Sequence, residues 1–228
     1  MAADEDIRPL FPRERAKAAA FLFETYRDDP RFAELYDARS ADELDGIAPM
    51  FRQQIELMTW LHRATLGCFH GNRLVGAICY YPDVPMTRRQ KVLGALQQPM
   101  LQAQLWVHHF VVRRRFRVRL APAAAQRWRT YGAMTDAAPD DPAPRLRVMA
   151  LGVAADAQRS GVARRLLDTI ANEPHWQQSM QAIEVNTWHP EKVAIYERLG
   201  FHTVHHAMRD GVACWTMRRA IEPPRTES

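Results

Sequence analysis

Between Leu146 and Asn172 the chain passes from an apolar run, LRVMALGV, through AADAQRS into the segment SGVARRLLDTIAN. This transition constrains the fold more than any other stretch. A near-continuous apolar strand belongs in a sheet covered on both faces. The segment after it places Val162, Leu166, Leu167 and Ile170 on one stripe at helical spacing. A helix therefore starts near Gly161, and its first turn is unusual. Arg159, Arg164 and Arg165 flank it, and no acid occurs before Asp168. The N-terminal end of a helix is the positive pole of its backbone dipole and normally attracts Asp or Glu. Left bare, with more positive charge added, it reads as a seat for an anion that the chain does not itself supply. Gly161 and Ala163 are small enough to let such an anion approach the backbone N–H groups, and Ser160 adds a hydroxyl. No GK[ST] sequence is present, which excludes a Walker loop, and no G-x-G-x-x-G, which excludes the dinucleotide fingerprint.

The chain around this unit continues the alternation. AIEVNTW (Ala182 to Trp188) reads as a strand. PEKVAIYERLG reads as a helix, with Pro190 in its first turn and Gly200 just past its end. FHTVHH and VACWTMRR follow as two strands joined near Asp210-Gly211. Strands alternating with helices predict an α/β sheet, and the closing pair predicts an antiparallel hairpin at its edge. Upstream, IRPL reads as a short first strand. PRERAKAAAFLFETY reads as a helix with Ala18, Phe21, Leu22 and Tyr26 recurring at helical spacing. Ser40 and Glu43 form a capping pair, and PMFRQQIELMTWLHRA predicts a second amphipathic helix. TLGCFHGNRLVGAICYY predicts a β-hairpin turning at Gly71-Asn72. Met86 to Trp128 is helical in pattern and rich in arginine, and TDAAPDDPAP is a loop.

Composition narrows the class. The 228 residues suffice for a substantial core, and no apolar run reaches the ~18 residues that span a bilayer. The acidic start, MAADEDIRPLF, does not resemble a secretory signal. Cys68, Cys79 and Cys214 are scattered without metal-ligand spacing and read as buried, reduced thiols of a cytoplasmic protein. No metal site is expected. The net charge of +5 is concentrated in VVRRRFRVRL, Arg113 to Arg119. With only Phe116 interleaved and no zinc-finger or RNA-binding signature, neither nucleic acid nor membrane is expected as a partner. That cluster is read as a solvated face or as the wall of an anion cleft.

Gln158, Gly161 and Ala163, standing as Gln-x-x-Gly-x-Ala after an apolar strand, resemble the pyrophosphate loop of the GNAT acetyltransferase superfamily. HPEKVAIYERLGF, His189 to Phe201, resembles the second signature of that superfamily, a helix carrying a Tyr followed by Leu-Gly-Phe. The resemblance implies a mixed α/β fold: a mostly antiparallel central sheet with a splayed parallel pair of strands, flanked by helices. It implies one domain over residues 1–228, with an Arg-rich helical insertion at 86–144 and an acetyl-CoA-binding core at 145–218. A narrower similarity links Tyr196 to Phe201, and Cys214, Trp215 and Met217, to the puromycin-resistance-type small-molecule acetyltransferases.

The resemblance also implies an activity, transfer of an acetyl group from acetyl-CoA directly to a primary amine of a small molecule. Leu151, Gly152 and Val153 would pair with pantetheine and bring an N–H to the thioester carbonyl. Gln158, Arg159, Ser160, Gly161, Val162, Ala163 and Arg164 would hold the pyrophosphate. Asn186, His189 and Lys192 would lie along the cofactor path; the family often has Asn at the position of His189, and Ala or Asn at that of Lys192. Tyr196 would protonate the leaving thiolate, since a phenol keeps its proton at neutral pH. Glu184 is a candidate base, with His108 and His109 behind it. A protein lysine or N-terminal acetyltransferase and a non-catalytic acyl-CoA-binding module remain open as alternatives, as does a homodimer.

Overall fold

The computed structural model describes residues 5–27, 29, 65–83, 143–209 and 212–223. The capping pair Ser40 and Glu43, the second amphipathic helix, and nearly all of the Arg-rich stretch with His108 and His109 lie outside the described residues. Strand β1 (Glu5–Pro9) leads through a 3-10 turn (Pro12–Glu14) into helix α1 (Arg15–Arg27). Strands β2 (Thr65–His70) and β3 (Arg73–Asp83) form the expected hairpin around Gly71 and Asn72. Strand β4 (Arg145–Val153) passes a 3-10 turn (Ala155–Ala157) and enters helix α2 (Val162–Ala171). Helix α3 (Pro174–Ser179), strand β5 (Ala182–Thr187), helix α4 (Pro190–Arg198), and strands β6 (His202–Arg209) and β7 (Val212–Ala220) complete the described chain.

The strands form one sheet in the order β1-β2-β3-β4-β5-β7-β6. All neighbours are antiparallel except β4 and β5. This is the mixed sheet with a parallel pair that the sequence led us to expect. One face packs on α2, whose stripe of Val162, Leu166, Leu167 and Ile170 is buried against Val75, Ile78, Leu146 and Ile183. Val193 and Tyr196 of α4, and Leu199 just past its end, pack against the same cluster. The opposite face packs on α1 through Ala18, Ala19, Leu22 and Phe23, beside Ala77, Cys79 and Ala150. Phe21 and Tyr26, expected on the buried stripe of α1, are only half-buried. The run from Ala18 to Phe23 is apolar at every position, so sequence periodicity leaves the helix phase open and packing on the sheet fixes it. All three cysteines are buried and reduced.

Two glycines bring the helices close. A Cβ on Gly152 would lie 2.5 Å from Thr25 Oγ1 and 3.1 Å from Leu22 Cδ2 of α1. A Cβ on Gly76 would lie 2.4 Å from Val162 Cγ1 of α2. Their absence lets both helices sit directly on the centre of the sheet. No helix among the described residues is long and apolar enough to cross a membrane.

Candidate active site

The sheet opens between β4 and β5. Their parallel pairing covers only Arg145↔Ala182, Leu146↔Ile183 and Arg147↔Glu184. Beyond it, β4 carries a bulge: Val148 pairs with Tyr80 and Ala150 with Cys79, so Met149 is the extra residue. A bulge bends its strand and increases the local twist, and here it turns β4 away from β5. Past the bulge, the Ala154 N–H donates to the Val75 carbonyl at 2.9 Å. Bonded and non-bonded pairs alternate along an antiparallel ladder. Gly152 therefore exchanges bonds with Ala77, while Leu151 and Val153 turn their N–H and C=O groups away from β3, into the gap that β5 has left.

The loop after β4 is fastened from outside. Arg73 grips Asp156 with two bonds, at 2.6 and 2.9 Å, and holds that carboxyl below its ordinary pKa. Arg165 donates to the Ser160 carbonyl at 3.0 Å and to Glu5 at 2.6 Å. The Ser160 hydroxyl donates to the Ala157 carbonyl at 2.7 Å. Within this frame Gly161 takes φ +89° as the N-cap of α2, and Arg159 takes φ +63°, the one positive φ outside glycine among the described residues. Such a conformation costs a non-glycine residue about 1 kcal/mol. The strain therefore sits in the segment expected to receive an anion. Helix α2 has no side-chain cap and no acid in its first turn, so its leading N–H groups face outward with the dipole behind them. Ala163 is half-buried, and Gln158 and Arg159 are exposed.

Two tyrosines flank the gap. Tyr26, at the end of α1, accepts a hydrogen bond from the Leu151 N–H at 3.2 Å and donates to the Leu151 carbonyl at 3.3 Å. Tyr196, on α4, packs edge-on against Phe201 at 5.5 Å and is half-buried. Burial raises its phenol pKa, and the nearby Tyr26 raises it further. Its hydroxyl has no hydrogen-bond partner among the described residues. Asp29, three residues past Tyr26, ties α1 to the start of α4. Its carboxylate lies 2.9 Å from both Lys192 Nζ and His189 Nε2. His189 Nδ1 also lies 3.1 Å from Glu191.

Several expected residues thus lie around Tyr26 and Asp29: Leu151 bonds to the Tyr26 hydroxyl, Lys192 Nζ lies 5.8 Å from the Tyr26 ring, and His189 and Lys192 share Asp29, while the Gln158 to Ala163 loop follows Val153 along the chain. Others have different partners. Glu184 is fully buried at the closed end, with Arg218 Nε at 2.8 Å, Arg147 Nε at 3.2 Å and Arg145 Nε at 3.3 Å. A base needs a lone pair open to its proton donor, and three guanidinium groups surround this one. Asn186 accepts a bond from Thr216 Oγ1 at 2.8 Å, across to β7. The Arg164 side chain donates to the Arg198 carbonyl at the end of α4 rather than turning toward the loop. Tyr26 and Asp29 were not singled out from sequence as site residues. Tyr26 lies in an apolar helical run and Asp29 in the polar stretch after it, so neither carries a local signal.

The comparisons with known proteins agree with this fold. The acetyltransferase (GNAT) domain family matches residues 97–221. That match begins inside the stretch read as an insertion. Nothing among curated proteins matches the chain. A Corynebacterium glutamicum structure, described as a histone acetyltransferase and related acetyltransferase, aligns with TM-score 0.58 at 15% identity over 98% of this chain and 99% of its own. An agmatine N-acetyltransferase variant in its apo form aligns with TM-score 0.53 at 14% identity over 95% and 99%. A putative arylalkylamine N-acetyltransferase from the yellow fever mosquito aligns with TM-score 0.53 at 13% identity over 96% and 88%. At these identities the likeness is one of fold.

Proposed function

The chain belongs to the acetyltransferase (GNAT) domain family, and from that premise we propose that it transfers an acetyl group from acetyl-CoA to a primary amine of a small molecule. The observation that carries this reading is the splay itself: the edge of Leu151 and Val153, which β5 does not pair, leads directly to the uncapped start of α2. An extended, amide-bearing chain that ends in a diphosphate fits those two features together. The amide groups would pair along the strand edge, and the anion would lie at the N–H groups of Gly161 to Arg164. Acetyl-CoA, when bound, would supply an acyl group activated as a thioester. The rest falls to the chain. Tyr196 would hold a proton at its hydroxyl for the departing sulfur, and its raised pKa keeps that proton in place throughout the neutral range. Ser160 and Arg165 would keep the loop in shape. No proton-accepting role is assigned to Glu184, whose oxygens face three arginines.

The agmatine and arylalkylamine acetyltransferases among the structures of the same fold support a small amine, and the Corynebacterium glutamicum structure described as a histone acetyltransferase keeps a protein side chain as the second reading. The similarity to the puromycin-resistance type gains less support. Cys214 and Met217 are buried in the sheet and Trp215 stacks on His206 at 4.8 Å, so these residues also have packing roles.

Thermal unfolding with acetyl-CoA, free CoA and ATP tests the donor. A ligand at ~100 times its dissociation constant adds ~2.7 kcal/mol, or about 5–10 °C for a chain of this size. A rise with both CoA species and none with ATP is expected. Thiol release against a panel of polyamines, arylalkylamines and basic peptides then tests the acceptor. Turnover confined to peptides would replace the small-amine reading with a protein acetyltransferase.

A further inference from the structure

The doubly bonded hydroxyl of Tyr26 has a role the family reading does not assign. Leu151 and Val153 are the two residues past the bulge whose main-chain groups face the gap. At Val153 the described residues supply no partner for those groups. At Leu151 one phenol oxygen satisfies both, accepting from the N–H at 3.2 Å and donating to the carbonyl at 3.3 Å. A single hydroxyl that bonds to both groups of one residue does what the amide of a neighbouring strand would do. Burial holds the Tyr26 phenol above its ordinary pKa, so it stays a hydroxyl that can donate and accept at once. The side chain is also braced from behind. Asp29 N–H donates to the Tyr26 carbonyl at 3.0 Å, and the Asp29 carboxylate is held by Lys192 and His189 of the opposite wall. The end of α1 thus spans the mouth of the splay, bonded to β4 on one side and to α4 on the other.

We propose that Tyr26 is a placeholder for the acyl donor: its hydroxyl occupies the strand-pairing position at Leu151 that the pantetheine thioester arm requires, and donor binding displaces it. This rests on the donor reading above. The consequence is selective, because only the arm competes with Tyr26 and the nucleotide end does not. Removing the hydroxyl while keeping the ring should therefore tighten one part of the ligand and leave the other unchanged.

The test is calorimetric titration of the wild-type chain and of Tyr26→Phe with acetyl-CoA and with 3′,5′-ADP, which lacks the arm. Tyr26→Phe should bind acetyl-CoA about three- to ten-fold more tightly, the worth of a net hydrogen bond or so no longer given up. Its affinity for 3′,5′-ADP should not change. If the wild type binds both compounds and Tyr26→Phe binds acetyl-CoA equally or less tightly, the placeholder is overturned and the donor reading stands. If the wild type binds neither, the donor reading itself falls. Should Tyr26→Phe fail to fold, the wild type gives a second readout through 13C at the tyrosine ζ carbons. The Tyr26 resonance, identified by its contact to the Leu151 amide, should shift with acetyl-CoA and stay in place with 3′,5′-ADP. A Tyr26 resonance unmoved at saturating acetyl-CoA would overturn the proposal.

Discussion

Glu184 has no exposed surface and three guanidinium groups within 3.3 Å. Asp83 lies 3.0 Å from both Arg145 and Arg147 and completes the cluster. Removing one member of a buried ionic group leaves its partners uncompensated, at a cost of about 3–5 kcal/mol. Glu184→Gln should lose that much stability in urea denaturation. Tyr196→Phe should do the reverse: its melting point should stay within a degree or two, while kcat falls by about 100-fold or more, as removal of a general acid does. A Glu184→Gln protein of normal stability and low kcat would return Glu184 to the base role, and normal turnover in Tyr196→Phe would remove Tyr196 from the acid role. At this scale the sequence was legible for the place in the fold of residues that belong to a signature, Gly161 at the start of α2 and Tyr196 on α4. It was not legible where function depends on what lies opposite. The side-chain chemistry of Glu184 allowed a base, and only its three partners, distant in sequence, argue against it.

The elements were legible because their periods are clear. The stripe of α2 and the strand–helix alternation after residue 145 come directly from apolar spacing. Helix α3 did not, since it is short and has no buried residue to repeat. Nor did the bulge at Met149, which arises from β3 and β4 falling out of register. The seat of α1 depends on a missing side chain. A methyl on Gly152 would meet Thr25 and Leu22 at 2.5–3.1 Å, and overpacking of that kind costs about 1–3 kcal/mol. Gly152→Ala should therefore melt lower than the wild type. A variant of unchanged stability would show that α1 can withdraw from the sheet at no cost.

At the scale of the whole molecule, buried phenols and thiols among the described residues make alkaline pH one vulnerable side. Burial pushes the Tyr80 phenol to about 12 and the Cys214 thiol to about 11, and raises Tyr196 as well. In the unfolded chain the same groups ionise near their ordinary values, 10 for tyrosine and 9 for cysteine. Between those values and the raised ones the unfolded chain holds fewer protons, so stability falls as pH rises. Tyr80 and Cys214 should each withdraw up to about 3 kcal/mol between roughly pH 9 and 12. Guanidinium midpoints at pH 8, 10 and 11.5 should decrease in that order, and a constant midpoint would mean that these groups reach water in the folded state.

The splay has one more consequence. A groove that recognises its ligand through peptide groups asks little of side-chain identity along β4. It needs the bulge, the small residues where helices and anion come close, and a strand that diverges. Residues can be exchanged freely around those few positions without closing the groove. A common fold can therefore persist among proteins that share only 13–15% of their residues with this chain.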